Sequence, residues 1–209
     1  MKIAIIGTGN VGASIARGLI GKGYDVTLGA RTPEAETLRA LAAETGAAVA
    51  RPAEAAEAAE IVILALPWDV AEAAVAALGD LSGKIVIDCM NPLGMVDGAL
   101  GLTVGHSASG GEIVQGWLPG ARVVKTLNQV GAEIMAANAQ MAQRPVMFMA
   151  GDDDAAKTDV AAVLAALGFE PLDAGDITKS RLLEPFGMVW INQALTRGKP
   201  NGDTRGLAG

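Results

Sequence analysis

An α/β fold with a doubly wound, mostly parallel sheet and a small C-terminal α/β annex is predicted by three observations. Short β-branched runs alternate with helical stretches along most of the 209 residues. The runs at 3–6, 61–66 and 85–88 are apolar at nearly every position rather than at every second one, the mark of strands covered on both faces. The first run leads straight into Gly7-Thr8-Gly9-Asn10-Val11-Gly12, a glycine-rich turn opening a helix.

The elements follow in order. Residues 3–6 read as a buried strand. Val11, Ile15 and Leu19 fall at helical spacing across 10–21. A second strand covers 25–28. Pro33 suits the first turn of a helix that carries Leu38, Leu41 and Ala42, with Gly46 as its stop. A weak strand at 47–50 precedes an Ala/Glu helix at 52–59. The strongest strand, 61–66, ends at Pro67, and a helix over 69–78 follows. Strands at 85–88 and 122–126 complete the first unit, read as residues 1–140. The annex, residues 141–209, holds a strand at 146–150, a helix at 155–167, a short strand at 170–173 and a helix at 180–195, interrupted near Pro185-Phe186-Gly187. The glycine-rich tail from Pro200 to Gly209 reads as disordered or as a loop ordered by a ligand. Right-handed crossovers turn such a succession into a Rossmann-type fold.

Composition narrows the chemistry. One His and one Cys cannot supply a zinc or iron–sulfur site from the usual ligands, so no metal site is expected. A single Cys forms no internal disulfide. A net charge of −7 argues against nucleic-acid and anionic-membrane partners. No apolar run approaches bilayer-spanning length, and the opening strand is no signal peptide. A cytoplasmic protein is expected.

Each glycine of the turn has its own task. Gly7 makes the tight bend, Gly9 lets backbone approach a pyrophosphate, and Gly12 lets helix pack on strand. The helix N-terminus then offers free N–H groups and the positive dipole end to phosphate. Where NAD-binding versions carry Asp or Glu after the second strand, this chain has Gly29-Ala30-Arg31-Thr32. A carboxylate would repel a 2′-phosphate, and an arginine can grip it. NADP(H) is therefore predicted, with Arg31 as main determinant and Thr32 assisting, although Glu34 and Glu36 stand nearby.

Ligands of doubly wound folds bind outside the carboxyl ends of the strands. Those ends add Leu66-Pro67-Trp68, Met90-Asn91-Pro92 and Lys125–Asn128. Leu66, Pro67, Asn91 and Pro92 are expected on the nicotinamide side; Pro67 as a mere strand stop and 91–94 as a plain turn are equal alternatives. Lys125 reads as structural more readily than catalytic. His106, the sole histidine, lies in a Gly/Ser loop that could border a second-substrate pocket; it and Lys125 are weak catalytic candidates. Ser107 and Ser109 lack a base and an orienting group, which disfavours hydrolase chemistry. Cys89 reads as a packed small side chain, and Asp152-Asp153-Asp154 as a helix cap rather than a metal site.

The ordered set of Gly7–Gly12, Gly29–Arg31, Leu64-Ala65-Leu66-Pro67-Trp68, Asp88 with Asn91-Pro92, Leu118-Pro119-Gly120-Ala121, Val124–Asn128, Gly151-Asp152-Asp153 and Leu183-Glu184-Pro185 resembles the NADP-dependent coenzyme F420 reductase family (8-hydroxy-5-deazaflavin:NADP oxidoreductases) nearly end to end. The resemblance implies hydride transfer between NADPH and a flat redox partner, coenzyme F420 or a flavin. It further implies that Thr8, Gly9, Asn10 and Val11 hold the pyrophosphate and Arg31 with its neighbour the 2′-phosphate. Ala30 stands where the family commonly has an assisting Ser, and a nearby downstream Lys is missing, which lowers the expected NADP affinity. Similar cytoplasmic domains of membrane metalloreductases use flavin and pass electrons to ferric ion.

Scarce proton donors support this reaction type. The only Tyr, Tyr24, precedes the second strand, at the end opposite the site. Carbonyl or imine reduction needs a positioned acid, whereas hydride passage between stacked rings needs mainly alignment. Reduction of a small imine or carbonyl, ferric reduction and a non-enzymatic NADP(H) sensor remain alternatives. Of the seven aromatics, Trp68 falls beside the expected nicotinamide, and Trp117, Phe186 and Trp190 in stretches that wall a second pocket or a subunit contact. Tyr24, Phe148 and Phe169 read as packing. Met188 and Trp190 read equally as a homodimer surface or as core.

Overall fold

The computed structural model describes residues 1–137, 141 and 143–196. Its strands are β1 (Lys2–Ile6), β2 (Asp25–Gly29), β3 (Ala48–Ala50), β4 (Ile61–Leu64), β5 (Ile85–Asp88), β6 (Leu93–Val96), β7 (Ala99–Leu102), β8 (Arg122–Lys125), β9 (Val146–Gly151) and β10 (Glu170–Asp173). Its α-helices are α1 (Asn10–Gly18), α2 (Glu36–Thr45), α3 (Pro52–Ala58), α4 (Trp68–Ala76), α5 (Gly110–Trp117), α6 (Ala132–Ala137), α7 (Asp154–Ala166) and α8 (Ser180–Ile191).

Eight strands form one sheet in the order β10-β9-β8-β5-β4-β1-β2-β3, and β6 with β7 makes a separate hairpin. The six strands from β8 to β3 are all parallel. β9 enters antiparallel against β8, and β10 runs parallel to β9. Both strands beyond residue 140 thus continue the same sheet.

Alternate residues of each central strand feed opposite layers. Ile3, Ile5, Ile61, Ile63, Ile85 and Ile87 pack with Ile15, Leu19, Leu38, Met135 and Leu164 on one face. Ala4, Ile6, Val62, Leu64 and Val86 pack with Ala55, Ala71, Val75 and Val114 on the other. Burial of both faces explains why these runs are apolar throughout. β1 is flanked by β2 on one side and β4 on the other. The chain crosses from one face to the other there, and a crevice opens at that switch point.

Several elements differ from the sequence expectation. The strand expected over 61–66 stops at Leu64, and the helix expected over 10–21 stops at Gly18. Residues 93–102 form a hairpin rather than a plain connection; Asp97 and Gly98 take φ of 51° and 81° at its tip, and Asp-Gly is the sequence signal for such a turn. α5 begins at a Ser109 N-cap, in which Ser109 Oγ accepts from Glu112 N and donates to the Glu112 carboxylate. The break expected near Pro185 does not occur: α8 runs through Pro185. Tertiary anchors on both sides hold it. The Glu184 carboxylate is fixed at 110–111, and a Cβ on Gly187 would lie 2.7 Å from the Asn128 carbonyl oxygen. A π-helical turn, Asn192–Thr196, follows. The tail from Pro200 lies outside the described residues.

Candidate active site

β1 delivers the glycine turn to the sheet's carboxyl edge. Gly7 has φ of +100°, and a Cβ on it would lie 2.2 Å from the Ala65 carbonyl oxygen. A Cβ on Gly12 would lie 1.9 Å from the Gly7 carbonyl oxygen, whereas one on Gly9 would meet open space. α1 then starts with no side-chain cap and no acidic residue in its first turn. Its leading N–H groups are thus left for an external anion.

These N–H groups border a cleft of about 860 Å³. Gly9, Asn10 and Val11 line one part of it, and Leu66, Pro67 and Asn91 another. Gly7, Thr8 and Gly12 form the base of the turn outside that lining. Arg31 and Thr32 stand exposed just past β2; among the described residues no carboxylate forms an ion pair with Arg31. Pro92 is buried behind the wall, where a Cβ on Gly110 would lie 3.3 Å from its Cδ and from Trp68 Cζ3.

Leu127 and Trp190, expected at a strand exit and in a stretch that walls a second pocket, both line the cleft. The sequence pattern does not point to Val130 and Gly131 of the loop after β8, Glu133 of α6, or Ile191 and Ala194 at the end of the chain's described part, which line it as well. Leu127 is buried yet holds φ of 61°, a costly conformation for leucine. A hydrogen-bond net restrains it. Asn128 Nδ2 donates to Asn91 Oδ1 at 3.0 Å and to the Leu183 carbonyl at 3.0 Å, and Gln129 Nε2 donates to Asn128 Oδ1 at 3.0 Å. Nothing in local sequence pattern signals this net. Among the aromatics, Trp68 lines the cleft and stacks on Trp117 with ring centroids 5.5 Å apart. Phe186 is exposed and meets Phe148 edge-on, and Met188 is half-buried.

Lys125 lies fully buried beneath the cleft. Its Nζ is 2.9 Å from Asp88 Oδ2 and 3.0 Å from Glu184 Oε1, and it donates to the Met90 carbonyl. Burial pulls its pKa down, but the charges of Asp88 and Glu184 outweigh this and hold the ammonium above its ordinary range. The Glu184 carboxylate also accepts from Gly110 N at 2.9 Å and Gly111 N at 3.0 Å, at the start of α5. His106 is exposed, with φ of 56°, in a loop outside the cleft lining. Cys89 lines the cleft, but burial, aided by the Asp88 charge, pushes its thiol up, out of the reactive range. Asp153 caps α7, accepting from Ala156 N at 2.7 Å. No group of three His, Cys, Asp or Glu residues suited to a metal ion occurs among the described residues. No described helix is long and apolar enough to cross a membrane.

Residues 2–92 match the family described as NADP oxidoreductase coenzyme F420-dependent. A candidate F420-dependent NADP reductase from Arthrobacter sp. FB24, solved as a crystal structure, is 36% identical, with a TM-score of 0.87 over 96% of each chain. The chain belongs to the F420-dependent NADP oxidoreductase family. The family is one of NAD(P)-dependent oxidoreductases. Metalloreductase STEAP3 of Rattus norvegicus is 29% identical over 185 residues, which cover 88% of this chain and 36% of that protein. The chain thus spans little more than a third of the length of this curated relative. A reductive aminase from Aspergillus terreus, in complex with NADPH4, cyclohexanone and allyl amine, is 22% identical with a TM-score of 0.65 over 94% of this chain and 62% of that one; that likeness concerns the fold alone.

Proposed function

We propose that this chain transfers hydride between NADPH and a flat redox ring, a deazaflavin such as coenzyme F420 or a flavin. The observation that carries the reading is the cleft. Uncapped helix N–H groups lie along one part of it, two indoles and several aliphatic side chains line the rest, and among the described residues its charged lining members are Asp69 and Glu133. Thr8, Gly9, Asn10 and Val11 would hold the pyrophosphate, with Gly7 and Gly12 setting the turn. Arg31 and Thr32 would hold the 2′-phosphate. Leu66, Pro67, Asn91 and Pro92 would bound the nicotinamide end. Bound there, NADPH supplies the hydride. Residues 141–209 contribute through α8, whose Trp190 and Ile191 close the cleft. These apolar walls exclude water and align rings, which is what hydride transfer between two ring systems asks of a protein.

A second reading, reduction of a small imine, draws support from Asp69 and Glu133, the carboxylates in the lining that could serve as acid. Following NADPH oxidation with coenzyme F420, FMN, a ferric chelate and a cyclic imine separates the readings. Turnover with a deazaflavin or flavin is expected. Turnover of the imine alone would overturn the first reading, and tight NADPH binding without any turnover would favour a sensor.

Arg31→Ala is expected to raise KM for NADPH roughly ten- to hundredfold, the worth of a charge-assisted contact to phosphate. The NADH value should stay unchanged. Steady-state kinetics with both nucleotides checks this, and an unchanged NADPH value would remove Arg31 from the site.

A further inference from the structure

We propose that Arg51 is a second determinant of NADP(H) selection, holding the 2′-phosphate from the exit of β3 while Arg31 holds it from the exit of β2. The inference rests on the NADP(H) reading of the site. Three strand ends stand in a row along the carboxyl edge of the sheet. The Gly7 amide, in the glycine turn after β1, donates to the Gly29 carbonyl at the end of β2 at 3.5 Å. The Ala30 amide, one residue on, donates to the Ala50 carbonyl at the end of β3 at 3.1 Å. Arg31 and Arg51 are the residues that follow Ala30 and Ala50. A dinucleotide with its pyrophosphate at the turn lays its ribose over the end of β2. Continued outward along the same row, the next strand exit is that of β3.

The backbone of Arg51 is preset. Gly29 pairs with Ala50 in the β2–β3 register, and a Cβ on Gly29 would lie 3.3 Å from Pro52 Cα, so the residues on both sides of Arg51 rest against β2. Arg51 itself is extended, with φ of −66° and ψ of 152°. Val49 packs on the layer of α1 and α2, and Ala50 on the layer of α3. Continued alternation turns Arg51 back toward the layer of α1, whose N-terminus is the proposed pyrophosphate site; Ala30 packs on that same layer. Arg51 is exposed, as is Arg31. The Glu54 carboxylate accepts from the Arg51 backbone N–H at 3.3 Å, and among the described residues neither arginine forms an ion pair. Two guanidinium groups on adjoining strand ends repel one another until an anion stands between them. A phosphate monoester on a ribose is such an anion, with oxygens for forked donors from both sides.

The test compares wild type and Arg51→Ala against two probes that lack the nicotinamide. Adenosine 2′,5′-bisphosphate carries the 2′-phosphate; 5′-AMP is the same nucleotide without it. Arg51→Ala removes exposed atoms and keeps the backbone N–H that Glu54 accepts from, so its melting curve should match that of the wild type. Titration calorimetry measures both ligands. The wild type should bind the bisphosphate more tightly than 5′-AMP. Arg51→Ala should weaken the bisphosphate about tenfold, the worth of a charge-assisted contact to phosphate, and leave 5′-AMP within about twofold. An unchanged bisphosphate affinity, or equal losses for the two ligands, would overturn the role of Arg51 and leave the NADP(H) reading standing on Arg31. A wild type that binds the two ligands alike would overturn the NADP(H) reading itself, and the proposal with it.

Discussion

Gly12→Ala is expected to abolish NADPH binding and to lower folding stability by about 3 kcal/mol or more, at the upper end of what overpacking costs. The added Cβ would lie 1.9 Å from the Gly7 carbonyl oxygen and 3.1 Å from Ile5 Cγ2. The first of these is backbone and cannot rotate away. Gly7 cannot retreat either, because its own Cα already faces the Ala65 carbonyl. Relief therefore requires α1 to move off β1, which carries away the N–H groups proposed to hold pyrophosphate. Gly9→Ala provides the contrast. Its Cβ would meet nothing within 4 Å, and Gly9 has an extended conformation with φ of −72°. Thermal stability should hold, while NADPH affinity falls at least about tenfold as the methyl intrudes on the phosphate's approach. Melting curves and nucleotide titrations of both variants check this. A Gly9→Ala variant with wild-type affinity would take the pyrophosphate out of the turn.

The parts of the fold and site that were legible in the sequence are those written in local pattern. The buried strands announce themselves because both faces of β1, β4 and β5 are covered, and the glycine turn because Gly12 meets the Gly7 carbonyl five residues back and Gly7 meets the Ala65 carbonyl just past β4. The second half of the cleft carries no such signature. Trp190 reaches it only because α8 continues through Pro185, and a proline in a helical pattern reads as a break. What overrides that reading is tertiary: Glu184 bonded to amides 73 and 74 residues away. Leu127 is equally opaque, since its left-handed backbone depends on side-chain amides from 91, 128 and 129 rather than on its own preference. The hairpin at Asp97-Gly98 and the cap at Ser109 are different: their signals are present in the sequence, but short elements between longer ones are easily read as connection.

Lys125→Met should destabilise the protein by about 3–5 kcal/mol, the usual result of removing one partner from a buried ionic group. In the wild type the cluster is saturated. The ammonium has three acceptors, in Asp88, Glu184 and the Met90 carbonyl, matching its three protons. All four carboxylate oxygens have donors, two of them also or only from backbone amides of α5 and one from Met90 N. Methionine fills the volume but leaves two carboxylates with no cation between them. Charge rather than shape is then the cause, so adding Asp88→Asn and Glu184→Gln to Lys125→Met should restore part of the loss: the amide oxygens still accept from Met90 N and from one of the two α5 amides, while the other α5 N–H is left facing an amide NH2. Failure of that triple variant to recover would mean that packing dominates. The pH dependence has a definite sign. Asp88 and Glu184 hold the folded-state pKa of Lys125 above its ordinary 10.5, so the cluster's contribution is fully present below about pH 10.5 and disappears as pH rises through the folded value. Denaturant titrations across that alkaline range should show wild type losing stability faster than Lys125→Met. Because the same cluster anchors α8, the alkaline loss should be accompanied by a change in the emission of Trp190 that Trp190→Phe removes, linking the buried charge beneath the cleft to the wall that faces the acceptor.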